Sequence, residues 1–271
     1  NSKLLASGSV AAVAGPGMTG VLVQLLTAPV AMAFDALSYV VAALSLALIR
    51  TAEPARVRPA GRSSIRGEIG EGLRAVLGHP VLRTLGWTSL VWNLFGSAGN
   101  VVWILFATRE VGISAAVLGG LFAIAGGGAV LGALLAQPVS RRYGAGRSVV
   151  GTMCVIAAAN VILPLAGGPA PFAVAMLVAW ALSSGIAIPI NLVNVASVRQ
   201  SLAPGELQGR VNATLQFAAA LTIPVGSLLG GALGGLIGTR ATLAITAVGF
   251  VLVLVGLILS PVPAIRELPA A

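Results

Sequence analysis

The chain has 271 residues, of which 57% are hydrophobic and only 8% are charged, against about 25% charged residues in an ordinary soluble domain. A soluble protein of this length has no way to bury so much apolar surface, so the composition points to a membrane protein and excludes a disordered chain. A single cysteine and a single histidine exclude a disulfide scaffold and argue against a metal site built from protein ligands.

Eight apolar runs have the length of about 20 residues that a helix needs to cross the hydrocarbon core. In chain order they cover residues 4–26, 29–49, 82–107, 112–136, 148–166, 171–196, 210–235 and 241–262. The sequence therefore predicts an all-α membrane protein, a polytopic bundle of eight transmembrane helices in a lipid bilayer.

The basic residues predict how these helices are oriented. With the N-terminus inside, fourteen of the 16 basic residues fall on the inner side, and only Arg109 and Arg240 on the outer side. Because basic residues concentrate on the cytoplasmic side of membrane proteins, we expect both termini in the cytoplasm and the chain in the cytoplasmic (plasma) membrane. The clustering of arginines between apolar runs also explains the net charge of +9 without a nucleic-acid partner.

The longest segment between apolar runs, residues 50–81, is rich in arginine. Its second part predicts an amphipathic helix on the inner membrane surface, because several apolar side chains share one helical face. These are Ile65, Ile69, Leu73, Val76 and Leu77. A solvated connector is the alternative, since several glycines in this part weaken a helix.

Residues 1–49 and 209–257 repeat one pattern, a helix with proline and glycine followed by a smoother apolar helix. The residues concerned are Gly15, Pro16 and Gly20 in the first copy and Pro224, Gly226 and Gly230 in the second. We expect them to serve close helix packing and bending during gating. Together with Gly234 and Gly238, the glycines of the second copy form a stripe at four-residue spacing.

Four segments resemble the major facilitator superfamily of transporters, and most of all its bacterial drug and siderophore exporters. Residues 15–20 (GPGMTG) resemble the end of an antiporter motif, residues 34–39 (FDALSY) a run in the sixth helix, and residues 209–213 (GRVNA) the entry to helix eleven. The segment 132–147 resembles the family's cytoplasmic loop motif without its acidic residue. Its matching residues are Gly132, Arg141, Arg142, Gly144 and Arg147.

The resemblance implies that the eight runs are family helices five to twelve. Residues 1–49 would be the last two helices of an incomplete N-terminal half, residues 50–81 a cytoplasmic basic linker, and residues 82–271 the six-helix C-terminal half. The sequence would then begin partway through a longer protein.

Uncharged polar residues form stripes on one face of three runs, beside two tryptophans. They are Ser89, Asn93, Ser97 and Asn100 with Trp92 and Trp103, then Ser184, Asn191 and Asn194, then Gln216, which follows Asn212 by four residues. Because polar groups are costly in hydrocarbon, the stripes predict a substrate cavity, and the resemblance implies that these three helices border it. Hydrogen bonding between helices is the alternative for any single residue.

Asp35 is the only acidic residue deep inside an apolar run. An ionisable residue in a membrane span is a functional candidate, here a proton carrier. A structural role is the alternative, because Asp35 lies only about 9 Å along its helix from the outer end.

We therefore predict a secondary active transporter and not an enzyme, with no cofactor, metal or ATP. The resemblance implies proton-coupled efflux of hydrophobic or amphipathic small molecules, as in multidrug-resistance antiporters, by alternating access. Two alternatives stay open. One is a non-transporting fragment; the other is a membrane-embedded lipid-modifying enzyme, for which His79 and Glu71 are the only neighbouring pair.

Overall fold

The computed structural model describes residues 28–48, 65–202 and 208–265. Every regular element in this part of the chain is helical. The α-helices are α1 (Ala28–Ala47), α2 (Ile65–Gly78), α3 (Pro80–Leu105), α4 (Ala115–Tyr143), α5 (Ala145–Leu165), α6 (Ala170–Leu202), α7 (Gln208–Ile237) and α8 (Thr239–Ile258). A π-helical turn, Phe106–Glu110, extends α3, and a 3₁₀ turn, Val262–Ala264, follows α8.

Six of these helices, α3 to α8, are long and apolar enough to cross a membrane. They correspond to the last six predicted runs. Helix α1 coincides with the predicted run 29–49, but its apolar part, Met32–Ala47, is shorter than a span needs. The run 4–26 and residues 49–64 lie outside the described residues, so the total of eight spans stays a prediction.

The bundle is built as a path of neighbouring helices. Helix α4 lies against α6, α6 against α5, α5 against α8, α8 against α3, and α3 against α7. The side chains buried between them are mostly apolar, among them Leu85, Ile156 and Leu177. Because lipid is as apolar as these side chains, the bundle gains its stability from close packing rather than from leaving water.

Glycines bring the backbones of α3 and α7 together. A Cβ atom added at Gly226 would overlap the carbonyl oxygen of Leu94, and one added at Gly230 would overlap the carbonyl oxygen of Ala98. The same arrangement joins α4 to α6, where a Cβ atom at Gly132 would overlap the carbonyl oxygen of Ile186. Only a residue without a side chain allows these helices to approach so closely.

The glycine stripe of α7 ends earlier than its spacing predicts. A Cβ atom at Gly234 would still lie 2.8 Å from the Val102 side chain, but nothing lies within 4 Å of one at Gly238. Gly238 instead forms the turn between α7 and α8, with φ of +89°. The prediction that Gly238 packs against a neighbouring helix is therefore wrong, because the α-helical spacing no longer holds after the helix has ended.

The two ends of the bundle differ in charge. One end, which we call the basic end, holds the start of α3, the α4–α5 turn, the end of α6 and the start of α7. Its arginines are Arg74, Arg83, Arg141, Arg142, Arg147, Arg199 and Arg210. The other end, the opposite end, holds Arg109 and Arg240 in the described part. This asymmetry is the one that the order of the spans predicts.

Helix α2 packs on the basic end of the bundle. Val76 is buried with Leu82, Val211 and Leu215, and Glu71 forms an ion pair with Arg210 on α7. The linker is therefore helical here, as the amphipathic pattern predicts.

The predicted apolar face of α2 is only partly covered by the bundle. Val76 is buried, but Leu73 and Leu77 of the same face are 46% and 53% exposed. A Cβ atom at Gly72 would overlap Thr214 on α7, so the absence of a side chain there lets α7 approach on that side. Contact of Leu73 and Leu77 with the inner membrane surface stays a prediction.

Candidate functional site

Two cavities follow one another along the axis of the bundle. The larger has a volume of about 550 Å³ and takes side chains from all six helices α3 to α8. The smaller, of about 230 Å³, lies nearer the basic end. Pockets that bind small molecules span roughly 300–1,000 Å³, so the larger cavity alone has room for one.

We name the two cavities by their linings. The aromatic cavity is the larger one, with the rings of Trp92, Trp103, Phe122, Trp180 and Phe250 in its wall. The basic-end cavity is the smaller one, with Ser89, Asn191, Arg199 and Gln216 as distinctive members of its wall. Trp92 and Asn93 on α3 line both, so these two residues stand at the junction of the cavities.

The structure brings nine of the ten predicted cavity residues into these two linings. Ser97, Asn100, Trp103 and Ser184 line the aromatic cavity, Ser89, Asn191 and Gln216 line the basic-end cavity, and Trp92 and Asn93 line both. The tenth, Asn194, is only 1% exposed and lies outside both linings. The three predicted polar stripes thus surround one axial space, and contact with a substrate stays a prediction.

The polar side chains of α3 bond within their own helix. The Asn93 side-chain amide donates to the Ser89 carbonyl oxygen at 2.8 Å, and the Trp103 indole Nε1 donates to the Asn100 amide oxygen at 3.3 Å. Such local bonds satisfy part of the polar groups and leave the rest of each amide available to a ligand.

Two asparagines of α6 bond differently. The Asn191 amide nitrogen donates to Val149 O at 3.0 Å and to Thr152 Oγ1 at 2.9 Å, both on α5. This bridge is the helix-to-helix hydrogen bonding that the sequence left open as an alternative. The Asn194 amide donates to Ile190 O at 2.8 Å, and its Oδ1 is buried without a partner among the described residues.

The aromatic rings form three contacts across helices. Trp103 lies 5.4 Å from Phe122 and 5.0 Å from Trp180 between ring centroids. Trp92 packs edge to face on Phe250 at 5.2 Å. Such pairs hold flat apolar walls in place, and flat walls suit planar or aromatic ligands.

Two polar atoms in the wall of the aromatic cavity lack a partner. The Trp180 Nε1 and the Ser184 hydroxyl are buried without a hydrogen bond within the described part of the chain. They lie one helical turn apart on α6, so a carbonyl or other acceptor placed in the cavity could reach both after small side-chain rotations.

The sequence stripes missed four polar residues of the cavity walls. Asn160 on α5 and Thr246 on α8 line the aromatic cavity, and Thr88 and Arg199 line the basic-end cavity. Two of these residues could have been found from the sequence. Asn160 is the only amide residue in its apolar run, and Arg199 follows Asn191 by two helical turns and so lies on the same face of α6. Arg199 was instead assigned to the basic residues of the inner surface.

Among the residues that the structure describes, Arg199 is the only ionisable one in either lining. Its Nη1 donates to the Asn212 side-chain oxygen at 3.2 Å, and its Nε is buried without a partner among the described residues. Asn212 belongs to the segment 209–213, so that segment holds the arginine against the wall of the cavity.

Asp35 lies on α1 with an exposed side chain and lines neither cavity. Its carbonyl oxygen accepts a hydrogen bond from Ser38 Oγ at 2.7 Å. The other side chains from Met32 to Leu48 are exposed as well. The predicted packing residues Gly15, Pro16 and Gly20 lie outside the described residues.

The loop motif occupies the turn between α4 and α5 at the basic end. Gly144 makes this turn with φ of +85°, a value that favours glycine. Arg141, Arg142 and Arg147 flank it with exposed side chains, and Gly132 lies three turns earlier against α6. Pro224, the remaining motif residue, lies inside α7, which continues through it.

At the opposite end, Arg240 ties three turns together. Its guanidinium donates to Pro164 O at 2.9 Å and Ala166 O at 3.1 Å, pairs with Glu110 at 3.4 Å, and lies 5.0 Å from the centre of the Phe106 ring. Because one side chain joins the α3–α4, α5–α6 and α7–α8 turns, it fixes the helices at this end.

The residue pair considered for an enzyme is not brought together as a catalytic unit. Glu71 pairs with Arg210, and the Nδ1 atom of His79 is buried without a partner within the described part. Among the described residues, the candidate site is therefore the pair of axial cavities and not Glu71 and His79.

Comparison with known proteins agrees with a membrane protein of this kind. A family model described as a transmembrane secretion effector matches residues 5–270, nearly the whole chain. No curated protein and no solved structure gives a significant match.

Proposed function

Because the chain belongs to the transmembrane secretion effector family of the major facilitator superfamily, we propose that it is a secondary active transporter that exports hydrophobic or amphipathic small molecules. Membership in this family and six apolar helices make the chain an integral membrane protein. Export, the drug or siderophore type of substrate, and exchange for protons are parts of this proposal.

The observation that carries the proposal is the pair of axial cavities. Side chains from all six helices α3 to α8 line the aromatic cavity, and side chains from all of these except α4 line the basic-end cavity. Both are partly open and combine aromatic side chains with uncharged polar groups. A few polar groups in a mostly apolar wall are typical of sites for amphipathic small molecules. In the described part of the chain, the only charged group in either wall is Arg199.

The helix contacts suit alternating access, in which one helix bundle rocks against another around a central site. Gly226 and Gly230 fit the backbone of α7 against that of α3, and Gly132 fits α4 against α6. Backbones in such close contact resist sliding, so α3 to α8 would move as one body. In the superfamily the second body is the other six-helix half, to which residues 1–49 would contribute.

The orientation belongs to the proposal as well. We place the basic end in the cytoplasm, because clustered arginines remain on that side of a cytoplasmic membrane. Asp35 is the proposed proton carrier, on the grounds that it is the only acid deep in an apolar run.

Dye uptake by inside-out membrane vesicles that carry the complete protein tests the proposal. The vesicles are energised with a proton gradient and offered fluorescent amphipathic dyes, including fluorescein and rhodamine 123. We expect uptake of at least one dye above that of vesicles without the protein, and loss of this uptake when the gradient is collapsed. Uptake equal to that of empty vesicles for every dye would reject the transporter.

Two neighbouring serines of α6 provide a matched test of the cavity. Ser184 lines the aromatic cavity with an unpartnered hydroxyl, whereas Ser183 lies outside both linings and bonds to its own helix. We expect Ser184→Ala to change the KM of a transported dye by about threefold or more, the effect of one hydrogen bond. Ser183→Ala should leave it unchanged, and equal effects of the two would reject the cavity as the binding site.

A further inference from the structure

The basic-end cavity contains a cation with no anion to balance it. Arg199 is the only ionisable residue lining either cavity, and no carboxylate contacts it among the described residues. Its side-chain partner is the neutral amide of Asn212 at 3.2 Å. A partly buried charge without a counter-charge is costly, so its presence in a cavity wall calls for a function.

The surroundings of Arg199 favour an anionic ligand. The same wall holds Ser89, Asn93 and Gln216, which are uncharged and able to donate hydrogen bonds. The rest is mainly apolar, with Met153, Val253 and Leu257 among its members. In such a medium the attraction between a guanidinium and an anion is stronger than in water.

Attachment to the membrane surface does not account for this side chain. Arginines that only anchor a helix end extend to the water, as the exposed Arg83 and Arg141 do at the same end of the bundle. Arg199 instead is held by Asn212 on α7, and its Nε is buried without a partner in the described part. Arg199 thus forms part of the wall of the basic-end cavity.

We propose that Arg199 binds the anionic group of an exported amphipathic molecule, whose planar body lies against Trp92 at the junction with the aromatic cavity. The ligand class is an aromatic or polycyclic carboxylate, because a carboxylate matches the fork of guanidinium donors. A cation with the same ring system is disfavoured, since no described residue of either wall offers a negative group to it. This inference rests on the proposed function and specifies its substrate.

Equilibrium binding of two dyes shows whether the protein recognises the charge of a ligand or only its shape. Fluorescein and rhodamine 123 share a xanthene ring system but carry opposite charges at neutral pH, and fluorescence anisotropy reports the binding of either to the complete protein in detergent. We expect fluorescein to bind the wild type at least about tenfold more tightly than rhodamine 123. Tighter binding of rhodamine 123, or no saturable binding of fluorescein, would overturn the proposal.

Variants of the arginine test its role directly. We expect Arg199→Gln to raise the Kd of fluorescein about tenfold or more without weakening rhodamine 123, and Arg199→Lys to retain part of the preference because it keeps the charge. Arg83→Gln, at an exposed position of the same end, should behave as the wild type. An equal loss for both dyes would show a structural role and refute the anion site. If Arg199→Gln does not fold, the preference of the wild type for fluorescein over rhodamine 123 and its partial retention in Arg199→Lys still test the anion site.

The source of the anion and the transport step are tested separately. Displacement of fluorescein by dioctanoyl phosphatidylglycerol but not by 1-naphthoate would assign Arg199 to a lipid headgroup and overturn the substrate inference. Charge-selective binding without uptake of either dye into vesicles would support the anion site and reject the transporter. Uptake of rhodamine 123 but not of fluorescein would retain the transporter and reject the anion site.

Discussion

Helix α7 contains two adjacent glycines, of which Gly230 lies against the backbone of α3 and Gly231 faces open space. A Cβ atom at Gly230 would lie 2.6 Å from the Cα atom and 2.8 Å from the carbonyl carbon of Ala98, and closer still to its oxygen. A Cβ atom at Gly231 would meet nothing within 4 Å. The pair Gly230→Ala and Gly231→Ala therefore adds the same methyl group to the same helix with and without a contact.

The expected change in the free energy of unfolding follows from these distances. Ordinary contact begins at about 3.4 Å, so Gly230→Ala requires α3 and α7 to separate by roughly 1 Å, and overpacking of this kind costs about 1–3 kcal/mol. Gly231→Ala should stabilise the helix by about 0.5–1 kcal/mol, because alanine is the better helix former. The two variants should thus differ in the free energy of unfolding by about 1.5–4 kcal/mol.

Thermal unfolding of the purified protein in detergent measures this difference. We expect the apparent Tm of Gly230→Ala to lie on the order of 5–10 °C below that of Gly231→Ala. Gly234→Ala should fall between them, because it meets the side chain of Val102 rather than backbone. Equal Tm values for Gly230→Ala and Gly231→Ala would refute the close contact between α3 and α7.

Three further predictions concern the ends of the bundle and the proton. Arg240→Gln should lower the free energy of unfolding by about 1–3 kcal/mol, because two carbonyl oxygens and Glu110 lose their donor; an unchanged Tm would contradict its role in joining the turns. Asp35→Asn should abolish dye uptake driven by a proton gradient, and unchanged uptake would remove Asp35 from the mechanism. In a cysteine-free background, Ala170→Cys should react with an impermeant maleimide from outside whole cells and Gln208→Cys only after the cells are opened; the reverse pattern would invert the proposed orientation.

Much of the described fold could be predicted from the sequence. The runs 82–107 and 171–196 correspond to α3, Pro80–Leu105, and α6, Ala170–Leu202. Helix α6 continues beyond its apolar run because helical hydrogen bonds do not end where the hydrocarbon would end. The polar stripe of α3 likewise identified four residues that line the cavities.

Other features of the site depended on contacts between distant segments. Asn191 and Asn194 lie three residues apart in one predicted stripe, yet Asn191 lines a cavity and Asn194 does not. Helix α6 contacts both α4 and α5, so a polar residue on it can face a neighbour as readily as a cavity. In the sequence, Arg199 is one of several arginines near the inner ends of the spans. Only its hydrogen bond to Asn212, on the next helix, distinguishes it from them.

Length and hydropathy by themselves determined that this chain is a helical membrane protein and where along the chain its described spans lie, because every backbone polar group in lipid must be satisfied within its own segment. Only the tertiary structure decided which faces of the spans pack against one another. That choice depends on where glycines let two backbones touch, as Gly72 and Gly230 do, and in a solvent as apolar as the side chains themselves the hydropathy pattern carries little information about it.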